Sequence, residues 1–250
     1  MVNAIGLGAI AGLIPVYVGI LAALFLGKVL PRTWESGLIG VANGVLVYLF
    51  FDLMHEATEQ TGARDPISWL VFLGSLGISF VGLVALESRQ VFGGRAGNRV
   101  LSLPYMIAVG MGLHNLGEGL AIGTSYASGE YTLSLLLVAG FGLHNGTEGF
   151  GIVGAAGKTP ISGRDVILLG LIAGLPTCVG TVLSGQGVSS YFSICFYSLA
   201  AGSLLYVILA LTVMSYTATR REQVATGLFA GISLMYLTAM VLTLVSGVRS

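Results

Sequence analysis

The sequence predicts an all-α polytopic membrane protein with eight transmembrane helices. Of its 250 residues, 55% are hydrophobic and only 9% are charged, whereas a soluble domain carries about 25% charged residues. This composition excludes an ordinary soluble domain, and it is too apolar for a disordered chain. The apolar residues also form eight continuous runs, each long enough for a helix to cross a hydrocarbon core of about 30 Å.

Charged and turn residues separate the eight runs. They lie near residues 4–27, 37–55, 67–86, 101–127, 131–156, 165–186, 190–217 and 223–247. The first run has no Lys or Arg before it and is longer than a signal-peptide core, so we expect a retained helix. Strands of a membrane β-barrel alternate over about 10 residues, which these continuous runs do not. We therefore expect a single eight-helix transmembrane domain over residues 1–250.

The basic residues between the runs are strongly asymmetric. Loops that follow odd-numbered runs hold nine of them: Lys28, Arg32, Arg89, Arg95, Arg99, Lys158, Arg164, Arg220 and Arg221. The other side holds Arg64 and Arg249. Because short cytoplasmic loops are enriched in Lys and Arg, the odd-numbered loops are predicted to face the cytoplasm. We expect an integral protein of the cell (inner) membrane with both termini outside the cytoplasm.

Composition also narrows the class of function. The formal net charge is zero and no basic stripe is seen, so nucleic acid is not an expected partner. Cys178 and Cys195 both lie in apolar runs, which favours buried thiols over a disulfide. No stretch outside the runs exceeds about 15 residues and no Walker A motif is found, which leaves no room for a nucleotide-binding domain. A transporter, a channel, a receptor and an intramembrane enzyme remain.

Two neighbouring runs carry nearly the same polar motif. The fourth contains G-L-H-N-L-G-E-G from Gly112 to Gly119, and the fifth contains G-L-H-N-G-T-E-G from Gly142 to Gly149. A charged side chain at bilayer depth costs about 2.5 to 3.5 kcal/mol, so such residues are functional candidates by default. A short internal repeat at the same depth in two neighbouring spans indicates a functional site.

Each motif is expected to place its ionisable side chains on one helix face. Residues i and i+4 share a face, so His114 should lie beside Glu118. By the same spacing His144 should lie beside Glu148. Each asparagine directly follows its histidine and is therefore rotated from it by about 100° around the helix axis. Because the two runs are consecutive and antiparallel, both sets can face one another near the midplane. The six candidate ligands are His114, Asn115, Glu118, His144, Asn145 and Glu148.

The donor types of these six residues favour a divalent transition metal. Imidazole, carboxylate and amide oxygen suit Zn²⁺, Fe²⁺, Mn²⁺, Co²⁺ or Cd²⁺ better than Ca²⁺, Mg²⁺ or Cu⁺. Two other interpretations stay open. In the first, the polar side chains only hydrogen-bond across a helix interface. In the second, the two histidines are the ligands of a haem, although a Glu one turn from each His argues against a haem pocket.

The two motifs are also rich in glycine, and small residues let membrane helices approach closely. The motif glycines are Gly112, Gly117, Gly119, Gly142, Gly146 and Gly149.

At these motifs the chain resembles the ZIP family of divalent-metal transporters, whose fourth and fifth spans carry H-N-x-P-E-G and a related H/Q-N/D-x-P-E-x pattern. The stretches Gly44–Ala57, Ala200–Val207 and Gly227–Tyr236 are similar to the family's second, seventh and eighth spans. The resemblance covers all eight spans. It implies a ZIP-like bundle with pseudo-symmetric fourth and fifth spans, in which spans 1, 4, 5 and 6 move against spans 2, 3, 7 and 8.

Carried over to this sequence, the resemblance implies metal ligation by the six motif residues, with Glu118 and Glu148 as candidates to bridge two metals. Asp52, His55 and Glu56 would form the entrance at the outer end of the second span. The alternative for these three is an ordinary interfacial end of a span.

The sequence departs from the family pattern inside the metal motifs and in the sixth span. Gly117 and Thr147 replace the motif prolines. Since proline frees a backbone carbonyl and glycine only permits a kink, the local ligand geometry is expected to differ. Thr177 stands where an acidic residue is frequent in the family, which favours one well-formed site over two. The adjacent Cys178 is a doubtful substitute ligand.

Two further departures concern the cytoplasmic side. The family's acidic pair in the seventh span falls at Ala210 and Leu211, which weakens an exit-side site. The connector between Glu87 and Arg99 contains no histidine, so metal sensing through this loop is not supported.

Together these observations predict a membrane transporter that moves Zn, Fe, Mn, Co or Cd ions toward the cytoplasm through the site between the fourth and fifth spans. We expect no catalytic activity and no resident cofactor. The alternatives are a non-transporting membrane metal receptor and an intramembrane metalloenzyme, for which the H-E-x-x-H motif is missing. The expected partners are the metal ion as substrate and the lipid bilayer, and a homodimer is left open.

Overall fold

The computed structural model of the chain describes residues 2–29, 32–89, 101–157, 159–184, 189–216 and 220–246. All regular elements within these ranges are helices. Four arginine and lysine positions of the predicted charge asymmetry lie outside the described residues, as does most of the connector that ends at Arg99. These four are Arg95, Arg99, Lys158 and Arg249.

The helices follow the predicted runs closely. The first run is formed by α1 (Val2–Gly8), a π-helical turn (Ala9–Leu13) and α2 (Ile14–Val29). The others are α3 (Arg32–Glu59), α4 (Pro66–Ser88), α5 (Ser102–Ala127), α6 (Tyr131–Ala155), α7 (Gly163–Leu183), α8 (Ser190–Ser215) and α9 (Arg221–Ser246). The prediction of an all-α protein is therefore confirmed for the described residues.

Six of the long helices are apolar enough to cross a membrane, judged by length and composition. They are the first long helix, α3, α4, α7, α8 and α9. The helices α5 and α6 fall short because each carries His, Asn and Glu among several glycines. A helical membrane protein is thus supported, and eight crossings stay a prediction.

Local polar contacts explain where several helices begin and end. Asp65 caps α4 by accepting a hydrogen bond from the Ile67 N–H, and Ser162 forms a capping box with Asp165 at the start of α7. The helix α3 extends beyond the predicted run at both ends, because that run was bounded where charges begin. A contact of 3.3 Å between His55 and Glu59 supports its final turn.

The helices pack as two groups. One contains the first long helix, α5, α6 and α7, in which α5 packs on α7 and α6, and α2 packs on α6. The other contains α3, α4, α8 and α9, in which α3 packs on α9 and α8, and α4 packs on α8. Contacts of α5 with α8 and of α3 with α6 join the groups. This division has the same membership as the two bundles that the family resemblance implies, and their relative motion stays a prediction.

The first long helix contains an irregularity that the hydrophobic pattern of the sequence does not predict. Within its π-helical turn, the Ile14 N–H donates to the Ala9 carbonyl, five residues earlier. Pro15 follows directly. Proline has no N–H and its ring crowds the carbonyl four residues before it, which here is that of Ala11. Pro15 therefore accounts for the departure from regular α-helix.

Three of the motif glycines allow close packing, but against α7 and α2 rather than between α5 and α6. A Cβ on Gly112 or Gly119 would collide with the backbone of α7, and one on Gly149 would collide with the backbone of α2. The other three motif glycines have no such neighbour closer than 3.5 Å. Close approach is thus concentrated where α5 and α6 meet their outer neighbours.

Candidate metal centre

A cluster of polar side chains is buried where α5 and α6 meet. Each is at most 3% exposed, although the surrounding core is apolar. Burying a carboxylate is costly unless it is paired or hydrogen-bonded, so their contacts decide what the cluster can do. The six residues are those that the sequence predicts: His114, Asn115, Glu118, His144, Asn145 and Glu148.

Glu118 is the centre of these contacts. The His114 Nε2 lies 3.0 Å from Glu118 Oε1, and the His144 Nε2 contacts the same oxygen from α6. Asn145 Nδ2 donates to Glu118 Oε2 at 2.8 Å. We name His114, Glu118, His144 and Asn145 the Glu118 cluster. One ligand atom from each of its two histidines and its carboxylate lie within 4.8 Å of one another, close enough to share an ion.

Glu148 lies beside this group rather than in it. Asn115 Nδ2 donates to Glu148 Oε2 at 2.9 Å. The predicted contact along one helix is seen for His114 with Glu118, whereas His144 pairs across the interface with Glu118. Each asparagine therefore bonds the glutamate of the opposite helix.

Each asparagine also donates to a backbone carbonyl of a helix outside the α5–α6 pair, a contact that the sequence does not predict. Asn145 Nδ2 donates to Ala11 O at 2.9 Å, and Asn115 Nδ2 donates to Ala173 O at 3.0 Å. Ala11 lies in the π-helical turn, and Ala173 lies one turn before the Pro176 of α7. For Ala11 the sequence signal was Pro15, because proline has no N–H for the carbonyl four residues earlier. The residue four before Pro176 is Ile172, so proline does not mark Ala173 in the same way.

Three buried oxygen atoms of the site are left without a hydrogen-bond partner among the described residues. They belong to the side chains of Asn115, Asn145 and Glu148. Buried polar atoms are nearly always hydrogen-bonded to protein or water. Oxygen donors of these two types are ligands for divalent metals, so the unpartnered atoms fit an ion in this place.

Thr177 and Cys178, the two doubtful candidates, lie on α7 next to the first long helix. Thr177 is fully buried with its side chain against Gly12, and among the described residues its hydroxyl has no partner. The Cys178 backbone lies against Gly8, and the thiol is not one of the groups that converge around Glu118. The structure therefore places both near the π-helical turn.

The candidate entrance residues Asp52, His55 and Glu56 are exposed near the end of α3. His55 pairs with Glu59 on the same helix. Asp52 and His55 line a cavity of about 340 Å³. Two of the three candidate entrance residues thus line one cavity near the end of α3.

A larger cavity of about 1170 Å³ opens at the other end of the bundle, next to Lys28 and Arg220. We name it the basic-end vestibule; its polar lining includes Lys28, Glu35, Ser36 and Arg220. Arg220 Nη1 donates to Ser36 Oγ at 3.1 Å, which joins the start of α3 to the segment before α9.

An apolar layer lies between the buried site and this vestibule. A Cβ on Gly151 would lie 3.1 Å from the terminal methyl of Met111 and 3.3 Å from a methyl of Leu211. Along α5, Met111 comes between the site residues and Leu103, which lines the vestibule. Along α6, Gly151 comes between Glu148 and Val153, which also lines it. Leu211, where the family resemblance implies an acidic residue, thus contributes apolar surface to this layer.

Fold and site of the described residues together define a helical membrane protein with a buried cluster of histidine, carboxylate and amide groups suited to a metal ion. Over 246 residues, 92% of the chain, it is 27% identical to the zinc transporter ZIPB of Bordetella bronchiseptica, of which it covers 78%. It is also 32% identical to the human zinc transporter ZIP4 over 131 residues, which are 51% of this chain and 20% of that protein. No family model matches the chain. The two similarities confirm the resemblance to the ZIP family.

Proposed function

We propose that the chain transports a divalent transition metal across a membrane, with zinc as the first candidate. The observation that carries this proposal is Glu118 buried between two histidines in a pair of glycine-rich helices. A bound dication would offset the cost of the buried carboxylate, which otherwise makes the arrangement expensive. The similarity to two proteins named zinc transporters supports the same substrate class. Iron, manganese, cobalt and cadmium have related ligand preferences.

The ion would bind first to His114, Glu118 and His144, whose ligand atoms already lie within 4.8 Å of one another. The unpartnered oxygens of Glu148 and of the two asparagines are additional ligands in this proposal. With Thr177 in place of a family acid, we propose one principal site rather than two equal ones.

The proposed route runs from Asp52 through the Glu118 cluster to the basic-end vestibule. The excess of basic residues at the vestibule end supports a cytoplasmic location for that end, and hence inward transport. An ion on this route has to pass the layer of Met111 and Leu211. Flux would therefore require this layer to open.

Purified protein in liposomes should take up Zn²⁺ when the ion is added outside, as measured by a zinc indicator trapped in the lumen. Liposomes without protein provide the control. Binding of Zn²⁺ to the purified protein without flux would favour the metal receptor instead, and the absence of both binding and flux would contradict the proposal. Cd²⁺, Mn²⁺, Co²⁺ and Fe²⁺ in the same assay would define the selectivity.

Asp52→Asn is expected to raise the Zn²⁺ concentration for half-maximal uptake by roughly 2- to 10-fold, with the maximal rate unchanged. An exposed carboxylate at a pore mouth concentrates cations and speeds their association, and the amide removes that charge. Uptake against Zn²⁺ concentration at low ionic strength measures the change. Glu222→Gln, which changes an exposed carboxylate in the first turn of α9, is the matched control and should leave the half-maximal concentration unaltered. An unaltered value for Asp52→Asn would make the trio an ordinary helix end.

A further inference from the structure

Asn145 connects the Glu118 cluster to the first long helix. Its Nδ2 donates to Glu118 Oε2 at 2.8 Å and to Ala11 O at 2.9 Å. Asn145 is fully buried, so solvent does not compete for these bonds. With an acceptor for each of its two hydrogens, the amide group has one fixed orientation.

The Ala11 carbonyl is available because of Pro15. In a regular helix this carbonyl would accept from the N–H four residues later, and Pro15 has none. Pro15 also packs close to α6, because a Cβ added at Gly142 would lie 3.7 Å from the Pro15 Cγ. The proline thus combines a free acceptor with contact to the helix that carries Asn145.

We propose that Pro15 is a positioning residue for metal binding, and that the Asn145 amide nitrogen has a positioning role in addition to the ligand oxygen of the same side chain. Pro15 leaves the Ala11 carbonyl free, this carbonyl orients the Asn145 amide, and the amide holds the Glu118 carboxylate toward the two histidines. The inference rests on the proposed function, because it requires Glu118 to be a metal ligand. It adds the π-helical turn to the parts of the chain that determine metal affinity, although Pro15 has no ligand atom.

The second asparagine provides a matched control within the chain. Asn115 Nδ2 donates to Glu148 Oε2 and to Ala173 O, so its backbone acceptor lies on α7 rather than in the π-helical turn. Pro15 should therefore act through Asn145 and be independent of Asn115. Independent sites give additive effects, whereas residues in one hydrogen-bond network do not.

The test is a pair of double-mutant cycles on Zn²⁺ affinity, measured by chelator competition with the purified full chain. Pro15→Ala supplies the missing N–H and should weaken binding roughly 10-fold, the lower range for residues that orient a metal ligand. In the Asn145→Ala background Pro15→Ala should have no further effect. In the Asn115→Ala background it should again weaken binding roughly 10-fold. Pro15→Ser supplies the same N–H if Pro15→Ala does not yield a folded protein.

Pro66→Ala is the proline control, because Pro66 is the first residue of α4 and frees no carbonyl within that helix. It should bind Zn²⁺ as the wild type does. Equal weakening by Pro15→Ala in both asparagine backgrounds, or wild-type affinity in Pro15→Ala itself, would overturn the positioning role while the proposed function stands. A wild-type chain that binds no Zn²⁺ would overturn the proposed function.

Discussion

Replacing Glu118 with alanine is expected to lower the affinity for Zn²⁺ by about 100-fold or more and to abolish uptake. Glu118 is the residue on which both histidines and Asn145 converge. Its loss removes a ligand and the charge that offsets the dication, and breaking a buried ionic contact costs about 3 kcal/mol or more. That energy corresponds to about 100-fold in affinity. Glu148→Ala should cost less, because Glu148 contacts the site through Asn115.

Chelator competition on purified protein measures these affinities, and circular dichroism shows whether the variants remain folded. Glu130→Ala removes an exposed carboxylate at the start of α6 that makes no capping bond, so it should bind Zn²⁺ normally. Wild-type affinity in the double variant of Glu118 and Glu148 would exclude the assigned site, together with the route that passes through it.

Two neighbouring glycines of α6 should respond oppositely to alanine. Gly149→Ala is expected to destabilise the protein by roughly 1 to 3 kcal/mol or to prevent assembly, because its Cβ would overlap the backbone of α2. At Gly146 the nearest atom to a new Cβ is 4.0 Å away. Gly146→Ala should therefore be neutral, or stabilising by up to about 1 kcal/mol, since alanine is the better helix former.

Thermal unfolding of the two variants in detergent measures the difference, with wild type alongside. Because both substitutions add one methyl group to the same helix, the comparison isolates the contact with α2. Equal stability of the two variants would mean that α2 and α6 are not in close backbone contact at this point.

Much of the fold could be predicted from the sequence, because the composition of a segment indicates whether it forms a membrane helix. Charges and turn residues bound the apolar runs, and each run corresponds to a long helix in the described residues. The six polar residues of the site were also predictable, since His, Asn and Glu inside apolar runs are rare and here occur twice at one spacing. Both signals depend on residue type alone.

What could not be predicted depends on which backbone atoms meet. The bonds of Asn145 to Ala11 and of Asn115 to Ala173 have carbonyl acceptors, and any residue can supply a carbonyl. The pairing of His144 with Glu118 rather than Glu148 depends on the relative rotation of α5 and α6. Such rotations follow from packing against α2 and α7, which the pattern of one helix does not contain.

The π-helical turn also changes which neighbouring helices the two ends of the first long helix can contact. Gly8 and Gly19 are eleven residues apart, so in an unbroken α-helix they would differ by only about 20° and share a face. In the structure Gly8 meets the backbone of Cys178 on α7, whereas Gly19 meets the backbone of Gly146 on α6. The wider π-helical turn between the two glycines rotates the residues after it relative to those before it. A helical wheel drawn through residues 2–29 as one α-helix therefore assigns either α1 or α2 to the wrong neighbouring helix.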